Sequence, residues 1–478
     1  MKSSSDNGTA FLFFKLLQRF LFEKLYKLIL NVRFGWENYM IKQFFKYSIS
    51  SMFAMFVTSL YTIIDGIFVG RGIGDVGLAS VNMVLPITIM YFGVATMFAV
   101  GGGSMVSKSF GEGNVEKGQK IFGQTVKLIL IVSFALSAIA FLFSNSIMSL
   151  IGARGEILIY SSQYLKFYSL FCSANLIGIV LNSFVRNDYN PRLGMIANIF
   201  GAVANIIFDY VFIFKLNLGI KGAALATGLG QIITILILIN HFILKIGNLR
   251  FKYSQIEFDV FKNIVSIGFP SFLSEITFSV IIFFYNIALV VFIGNKAVTA
   301  FSVINYINAN IYMILLGMNF GVQPLISYSF GAKNGKDMIK FYEFLKHFGF
   351  LLTLIYVLIS FVFGNQLIGI FTKDFEIIKI AYFGLNVSNL AFFILGINLT
   401  TSVYYQAMQI PKYSNIICLF RSFVFLPMSL VVLAKIFGLT GIWMSLIASE
   451  GLSLLFINLM VRVKKVTEDS LSKNVFKV

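Results

Sequence analysis

The sequence predicts an all-α polytopic membrane protein of twelve transmembrane helices, arranged as two pseudo-symmetric six-helix lobes. Three observations predict this. Of 478 residues, 58% are hydrophobic and only 12% charged, whereas soluble domains average about 25% charged. Twelve apolar stretches are each long enough to cross about 30 Å of hydrocarbon. The second six stretches repeat motifs of the first. Strand-like alternation is absent, which excludes an outer-membrane barrel.

Residues 1–10 are polar, which does not resemble a cleaved signal peptide. Residues 11–34 are apolar but carry Lys15, Arg19, Glu23 and Lys27 every four residues, one stripe on a helix. Phe11, Phe14, Leu17, Leu21, Leu25 and Leu28 lie elsewhere around it. Residues 1–40 therefore read as a basic amphipathic segment on the cytoplasmic membrane surface, a poorly ordered leader being the alternative. An N-lobe over 41–246 holds spans near 44–70, 78–107, 121–143, 161–186, 193–215 and 220–244. A cytoplasmic linker over 247–262 leads to a C-lobe over 263–463, with spans near 262–293, 298–330, 342–364, 378–408, 412–435 and 439–461. Residues 464–478 form a cytoplasmic tail. Several spans exceed 25 residues, so tilting or bending is expected.

An even number of spans puts both termini on one side. Of the 38 Lys and Arg, 29 fall on that side. The other side holds Arg71, Arg154, Lys166, Lys215, Lys221, Lys296, Lys373, Lys379 and Lys435. The bias places both termini in the cytoplasm and the protein in the inner (plasma) membrane. The same distribution explains the net charge of +18 without nucleic acid. Cys172 and Cys418 fall in apolar segments and His241 and His347 sit singly at segment ends, so neither a disulfide framework nor a metal cluster is expected. No P-loop is present, and Gly72-Ile73-Gly74-Asp75-Val76-Gly77 matches the dinucleotide fingerprint in spelling only, since no strand precedes it. Gly66 and Gly70 form a small-xxx-small helix contact. With no clustered catalytic residues, the chain does not read as an enzyme.

The two halves align in pieces. Residues 59–70 (SLYTIIDGIFVG) lie against 283–294 (FFYNIALVVFIG), pairing Tyr61 with Tyr285, Phe68 with Phe292 and Gly70 with Gly294. Gly101, Ser107, Ser109, Phe110, Gly111, Asn114 and Lys120 match Gly321, Ser327, Ser329, Phe330, Gly331, Asn334 and Lys340. Pro191 matches Pro411, and Gly219 and Gly222 match Gly438 and Gly441. Six helices per copy make this a parallel repeat, an arrangement in which transporters place the substrate path between the halves.

The differences point to a site. In this alignment Asp65 faces Leu289, Asn205 faces Phe425, Asp209 faces Ser429 and Thr227 faces Leu446. A carboxylate at membrane depth costs several kcal/mol unless paired or hydrated, so it is a functional candidate by default. Helical rise puts Asp65, Asp209 and Thr227 roughly 8, 9 and 10 Å from the outer ends of their spans, and Asn205 about 15 Å. Asn205 and Asp209 share a helix face, as do Tyr61 and Asp65, making Tyr61 a supporting residue. All offer oxygen, the ligand a hard cation requires, and two neighbouring carboxylates suit a proton carrier. The competing reading is a hydrogen-bonded polar plug.

At these residues the sequence resembles the multidrug and toxic compound extrusion (MATE) family, in its MepA-like bacterial branch. The matching text is YTIIDGIFVGRGIGDVGLASVNMVLPI, NIIFDYVFIFKLNLGIKGAALAT and GMNFGVQPLISYSFGAKNGK, in that order. The resemblance implies two lobes forming a V (a MATE or MOP-type fold) and alternating access driven by Na⁺ or H⁺, with no other cofactor. It implies efflux of organic cations or other amphiphilic drugs by a monomer among membrane lipids. The family's N-lobe cation site maps onto Asp65, Asn205, Asp209 and Thr227. Ser50 stands where many members carry a proline, so proline-centred bending of the first helix is not expected here. Glu275 is not at the position of the seventh-helix glutamate some members use.

Glu275 and Gln323 remain candidates for the substrate cavity. Glu450 and Arg421 are expected to neutralise each other between neighbouring helices. Met and Phe along the second, seventh and eighth spans suit a promiscuous cavity as well as ordinary packing. The alternative cargo is a lipid-linked saccharide or peptidoglycan precursor, but a flippase cavity would carry several cationic residues, and basic residues within these spans are few.

Overall fold

A computed structural model describes residues 38–252 and 254–460. The proposed amphipathic segment and the C-terminal tail lie outside the described residues. The N-lobe comprises α1 (Asn38–Ile73), α2 (Asp75–Gly111), α3 (Val115–Ile151), α4 (Gly155–Asn187), α5 (Pro191–Asp209) and α6 (Gly219–Ile243). A π-turn, Tyr210–Lys215, extends α5. The C-lobe comprises α7 (Phe258–Phe292), α8 (Asn295–Gly331), α9 (Gly335–Gly369), α10 (Phe375–Ser388), α11 (Ala391–Ala407), α12 (Pro411–Leu419) and α13 (Leu426–Met460).

Twelve crossings result, with two irregularities. The tenth span is α10 plus α11, bent by 45°. The run Pro411–Leu459 is helical for 49 residues, about 73 Å at helical rise and far too long for one crossing. It folds back at Gly438, whose φ of 55° is left-handed. Beyond that turn Ser449 donates to the Arg421 carbonyl and Phe456 stacks on Phe420, the signature of two antiparallel spans. Apolar side chains face outward all round, as at Leu150 and Phe375, 87% and 82% exposed, which suits lipid rather than water as the surrounding solvent.

Local chemistry repeats between lobes. Asn114 and Asn334 each cap a helix, accepting from the backbone N–H of Lys117 and Asp337. Gly74 and Gly294 each precede the second helix of a lobe at φ 89° and 117°, conformations that only glycine adopts without strain. These two are 220 residues apart, and so are Asn114 and Asn334. The register that aligns Gly70 with Gly294 is therefore displaced by one helical turn. The structural counterpart of Asp65 is Tyr285, not Leu289.

The lobes meet where α2 and α8 cross near the face that carries residues 38 and 460. Gly111 packs on the Tyr328 carbonyl and Gly331 on the Lys108 carbonyl, a reciprocal pair about the pseudo-twofold axis. A side chain at either would force the helices apart. Ser104 and Ser327 bond at 3.1 Å beside them, and Lys108 reaches Gln409 at 3.0 Å. Each lobe also lends its first helix to the other's second. Gly317 and Gly321 of α8 lie against the Ser51 and Tyr47 carbonyls of α1, while Gly101 of α2 lies against the Ile264 carbonyl of α7.

The linker is not a loose tether. The Asp188 carboxylate accepts from the backbone N–H of Asn248 (2.7 Å) and Leu249 (3.1 Å) and meets His241 Nε2 at 2.9 Å. Gln119 donates to the Asn248 carbonyl, and Gln124 and Glu257 bond twice at 3.1 Å. These bonds strap residues 247–257 to the N-lobe. The seventh helix then starts at Phe258, several residues before the expected lobe boundary.

Candidate functional site

The cluster marked by the repeat is one place in the structure. Asp65 comes from α1, Asn205 and Asp209 from one face of α5, and Thr227 from α6. The Asp65 and Asp209 carboxyl groups lie within interaction reach of each other, and Asn205 lies against Asp209. Asp209 is 0% and Asn205 3% exposed. Both carboxyl oxygens of Asp209, Oδ1 of Asp65 and both amide atoms of Asn205 are buried without a hydrogen-bond partner. Thr227 donates to the Ala223 carbonyl at 3.1 Å, which leaves its hydroxyl oxygen free to accept. Buried polar groups in native folds are almost always paired. A self-satisfied polar plug would pair them; this cluster does not. Converging unpaired oxygens, two of them in carboxylates, are the donor set of a small hard cation or a shared proton. Tyr61 stands one turn from Asp65 and beside it.

A cavity of about 320 Å³ lies next to this cluster, between the lobes. Thr58, Tyr61 and Thr62 of α1, Asn205 of α5 and Thr227 of α6 line it from the N-lobe; Glu275, Tyr312 and Phe320 line it from the C-lobe. Glu275 is 4% exposed with Oε1 unpaired, and its backbone is brought close to α2 by Gly93. Gln323 is placed differently: it packs into the crossing with α2, its amide donating to the Val100 carbonyl at 3.4 Å, and is not part of the lining. Arg421 and Glu450 form a buried ion pair at 3.5 Å. Asn398 completes it, donating to Glu450 Oε2 at 2.7 Å and to the Glu450 carbonyl at 3.1 Å.

Two residues of the site were not singled out by sequence reasoning. Tyr164 of α4 is buried against the cluster, its hydroxyl near Thr227. Arg186, in the last turn of α4, lines the cavity. The signal for Tyr164 was in the repeat: its partner 220 residues on is Gly384, a contrast visible only in the correct register. Arg186 reads in sequence as one more basic residue at a span end.

Comparison with known proteins follows the same lines. The multidrug export protein MepA of Staphylococcus saprophyticus is 28% identical over 431 residues, 89% of this chain and 94% of that protein. MepA of Staphylococcus aureus is 26% identical over 427 residues, 88% of this chain and 93% of that protein. Among solved structures, MATE in complex with MaL6 superposes with a TM-score of 0.85 at 22% identity, covering 90% of this chain and 97% of that one. The outward-facing conformation of a multidrug resistance MATE family transporter of the MOP superfamily gives 0.85 at 23%, covering 90% and 96%. These likenesses establish the V-shaped two-lobe fold. The MatE family profile matches residues 50–211 and again 270–431, one match per lobe in the 220-residue register, and the chain belongs to the MatE family.

Proposed function

We propose that this chain is a secondary active multidrug exporter, exchanging amphiphilic and chiefly cationic drugs for Na⁺ or H⁺ across the inner membrane, with both termini in the cytoplasm. The observation that carries this reading is the shared helix α1. Thr58, Tyr61 and Thr62 of α1 line the cavity, while Asp65, one turn further along, belongs to the unpaired oxygen cluster. Cation and drug therefore act on the same helix. A cation held by Asp65, Asn205, Asp209 and Thr227 draws α1, α5 and α6 together. Because α1 also packs on α8 at Gly317 and Gly321, that movement reaches the lobe interface. Two ligands that bias one two-state element are coupled, which is what antiport requires. Glu275 gives the cavity a negative group for a cationic drug, and the aromatic and Met lining accepts varied shapes.

The contact of α2 with α8 seals the cavity on the side of the termini, which suits the outward-discharging state. The protein works as a monomer in lipid. A saccharide-lipid flippase is disfavoured because Arg186 is the sole base among the described lining residues. Ethidium efflux from inverted vesicles, driven separately by a Na⁺ gradient and a pH gradient, tests the function and names the ion. Failure of both gradients to drive efflux overturns the antiport. Orientation is tested by cysteines beside Lys340 and Lys296: only the latter should react with an impermeant external thiol reagent.

A further inference from the structure

Arg186 makes no ion pair and no hydrogen bond with any described residue, and its Nε is buried without a partner. Its counterpart in the C-lobe, Gln406, is by contrast tied down, donating to Ser271 Oγ at 3.0 Å. The flanking residues Val185 and Asn187 are 0% and 3% exposed, so α4 holds the guanidinium firmly at the cavity wall. Removing a guanidinium from water without a counter-charge is costly. Its position in the last turn of α4 offsets some of that cost through the helix dipole, but satisfies few of its five donors. Beside it stand Asn182, Asn198 and Gln231, and Asn182 donates to Asn198 Oδ1 at 3.0 Å. That bond fixes the orientation of the Asn198 amide and leaves its own N–H groups free.

We infer that Arg186, with Asn198 and Gln231, forms an anion subsite at the end of the cavity nearest the termini, so that the cavity accepts dipolar amphiphiles as well as simple cations. Glu275 is the one acid and Arg186 the one base among the described lining residues. They mark opposite ends. Glu275 lies level with Gly93 of α2, while Arg186 follows Ser183, which bonds the Ala99 carbonyl. Along α2 that difference is roughly 10 Å of helical rise. The ligand class follows: an amphiphile with an ammonium or iminium at one end and a carboxylate, sulfonate or phosphate at the other. The planar fork of the guanidinium matches the paired oxygens of such a group.

This inference rests on the drug-export reading, and the test separates the two. Rhodamine 6G is an ester cation, and its de-esterified free acid differs only by a carboxylate. Both are titrated by fluorescence polarisation into the purified protein in a non-ionic detergent free of lipid phosphate. Arg186→Gln should weaken the free acid about tenfold or more while tightening the ester, since a repelling charge has been removed. Arg186→Lys keeps the charge but not the fork, so it should weaken the free acid by a few-fold and leave the ester weaker than in Arg186→Gln. Parallel shifts of both dyes, or no shift of either, would mean a purely structural role and overturn the inference. Adding phosphatidylglycerol separates the two sources of anion. Competition against the free acid in the wild type but not in Arg186→Gln identifies a lipid phosphate using the same subsite. If the wild type fails to transport the ester, it is the export reading that fails, whatever Arg186 does.

Discussion

Where the N-lobe is lined by Gly178, Gly201 and Gln231, the C-lobe places Asn398, Arg421 and Glu450 at the corresponding positions. In the N-lobe those small or neutral residues leave the cavity wall open. In the C-lobe an ion pair and its amide partner fill the same volume. The coupling cluster follows the same rule. Asp65 corresponds to Tyr285, which stacks on Phe301 at 4.8 Å and whose hydroxyl accepts from Ser445 at 2.9 Å. Asn205 and Thr227 correspond to Phe425 and Leu446. An exchange of bulk completes the contrast. Tyr164 reaches the N-lobe cluster over the small Ala224, whereas in the C-lobe Gly384 makes room for Trp443. Duplication supplied the frame twice; side-chain volume and pairing then kept one copy open and packed the other shut.

The largest expected effect breaks the packed side. Arg421→Gln or Glu450→Gln leaves one buried charge unpaired and should cost about 3–5 kcal/mol. A melt of the purified protein in detergent would read this as a large fall in Tm and in yield. Exchanging the two, Arg421→Glu with Glu450→Arg, should recover part of the loss, since the pair is restored with altered geometry. A single neutralisation that leaves Tm and expression unchanged would mean that the C-lobe does not depend on the pair.

The next effect breaks the open side. Asp65→Asn and Asp209→Asn each remove a charge with little change of shape, and their unpaired oxygens have no hydrogen bond to lose. Folding and drug binding should survive, while gradient-driven ethidium efflux falls by about tenfold or more. The double variant should be scarcely worse than either single one, because the carboxylates act on one cation. Normal efflux by Asp65→Asn would return the cluster to a structural role and make Glu275 the next residue to test.

The sequence carried the spans, the duplication and the four N-lobe residues, because apolar length and unmatched polar groups are properties of single positions. It misread the first span by one helical turn. Tyr61 and Gly70 found partners at Tyr285 and Gly294, and α-helical text tolerates such a slip because four residues return to the same face. Only the left-handed backbone of Gly74 and Gly294 fixed the register. The pairing of Arg421 with Glu450 was readable from opposite charges in neighbouring spans. What Arg186 faces and what Tyr164 touches were not, since both depend on how helices distant in sequence are rotated about their axes. Gln323 was misjudged for the same reason: it turns into the α2 crossing instead of the cavity.

The smallest effect compares one atom in each lobe. Tyr285→Phe removes a hydroxyl that bonds Ser445 but leaves the ring stacked on Phe301. It should cost about 1 kcal/mol of stability, the net worth of a typical hydrogen bond, and efflux should keep its dependence on the driving cation. Tyr164→Phe makes the same chemical change against the N-lobe cluster. There the hydroxyl lies by Thr227 and the two carboxylates, so the change acts on cation binding more than on packing. Its expected result is a few-fold rise in the Na⁺ or H⁺ gradient needed for half-maximal efflux, with Tm nearly constant. Measuring Tm and gradient dependence for both variants gives a two-by-two comparison. Should Tyr285→Phe shift the gradient dependence and Tyr164→Phe only the Tm, the working lobe has been assigned the wrong way round.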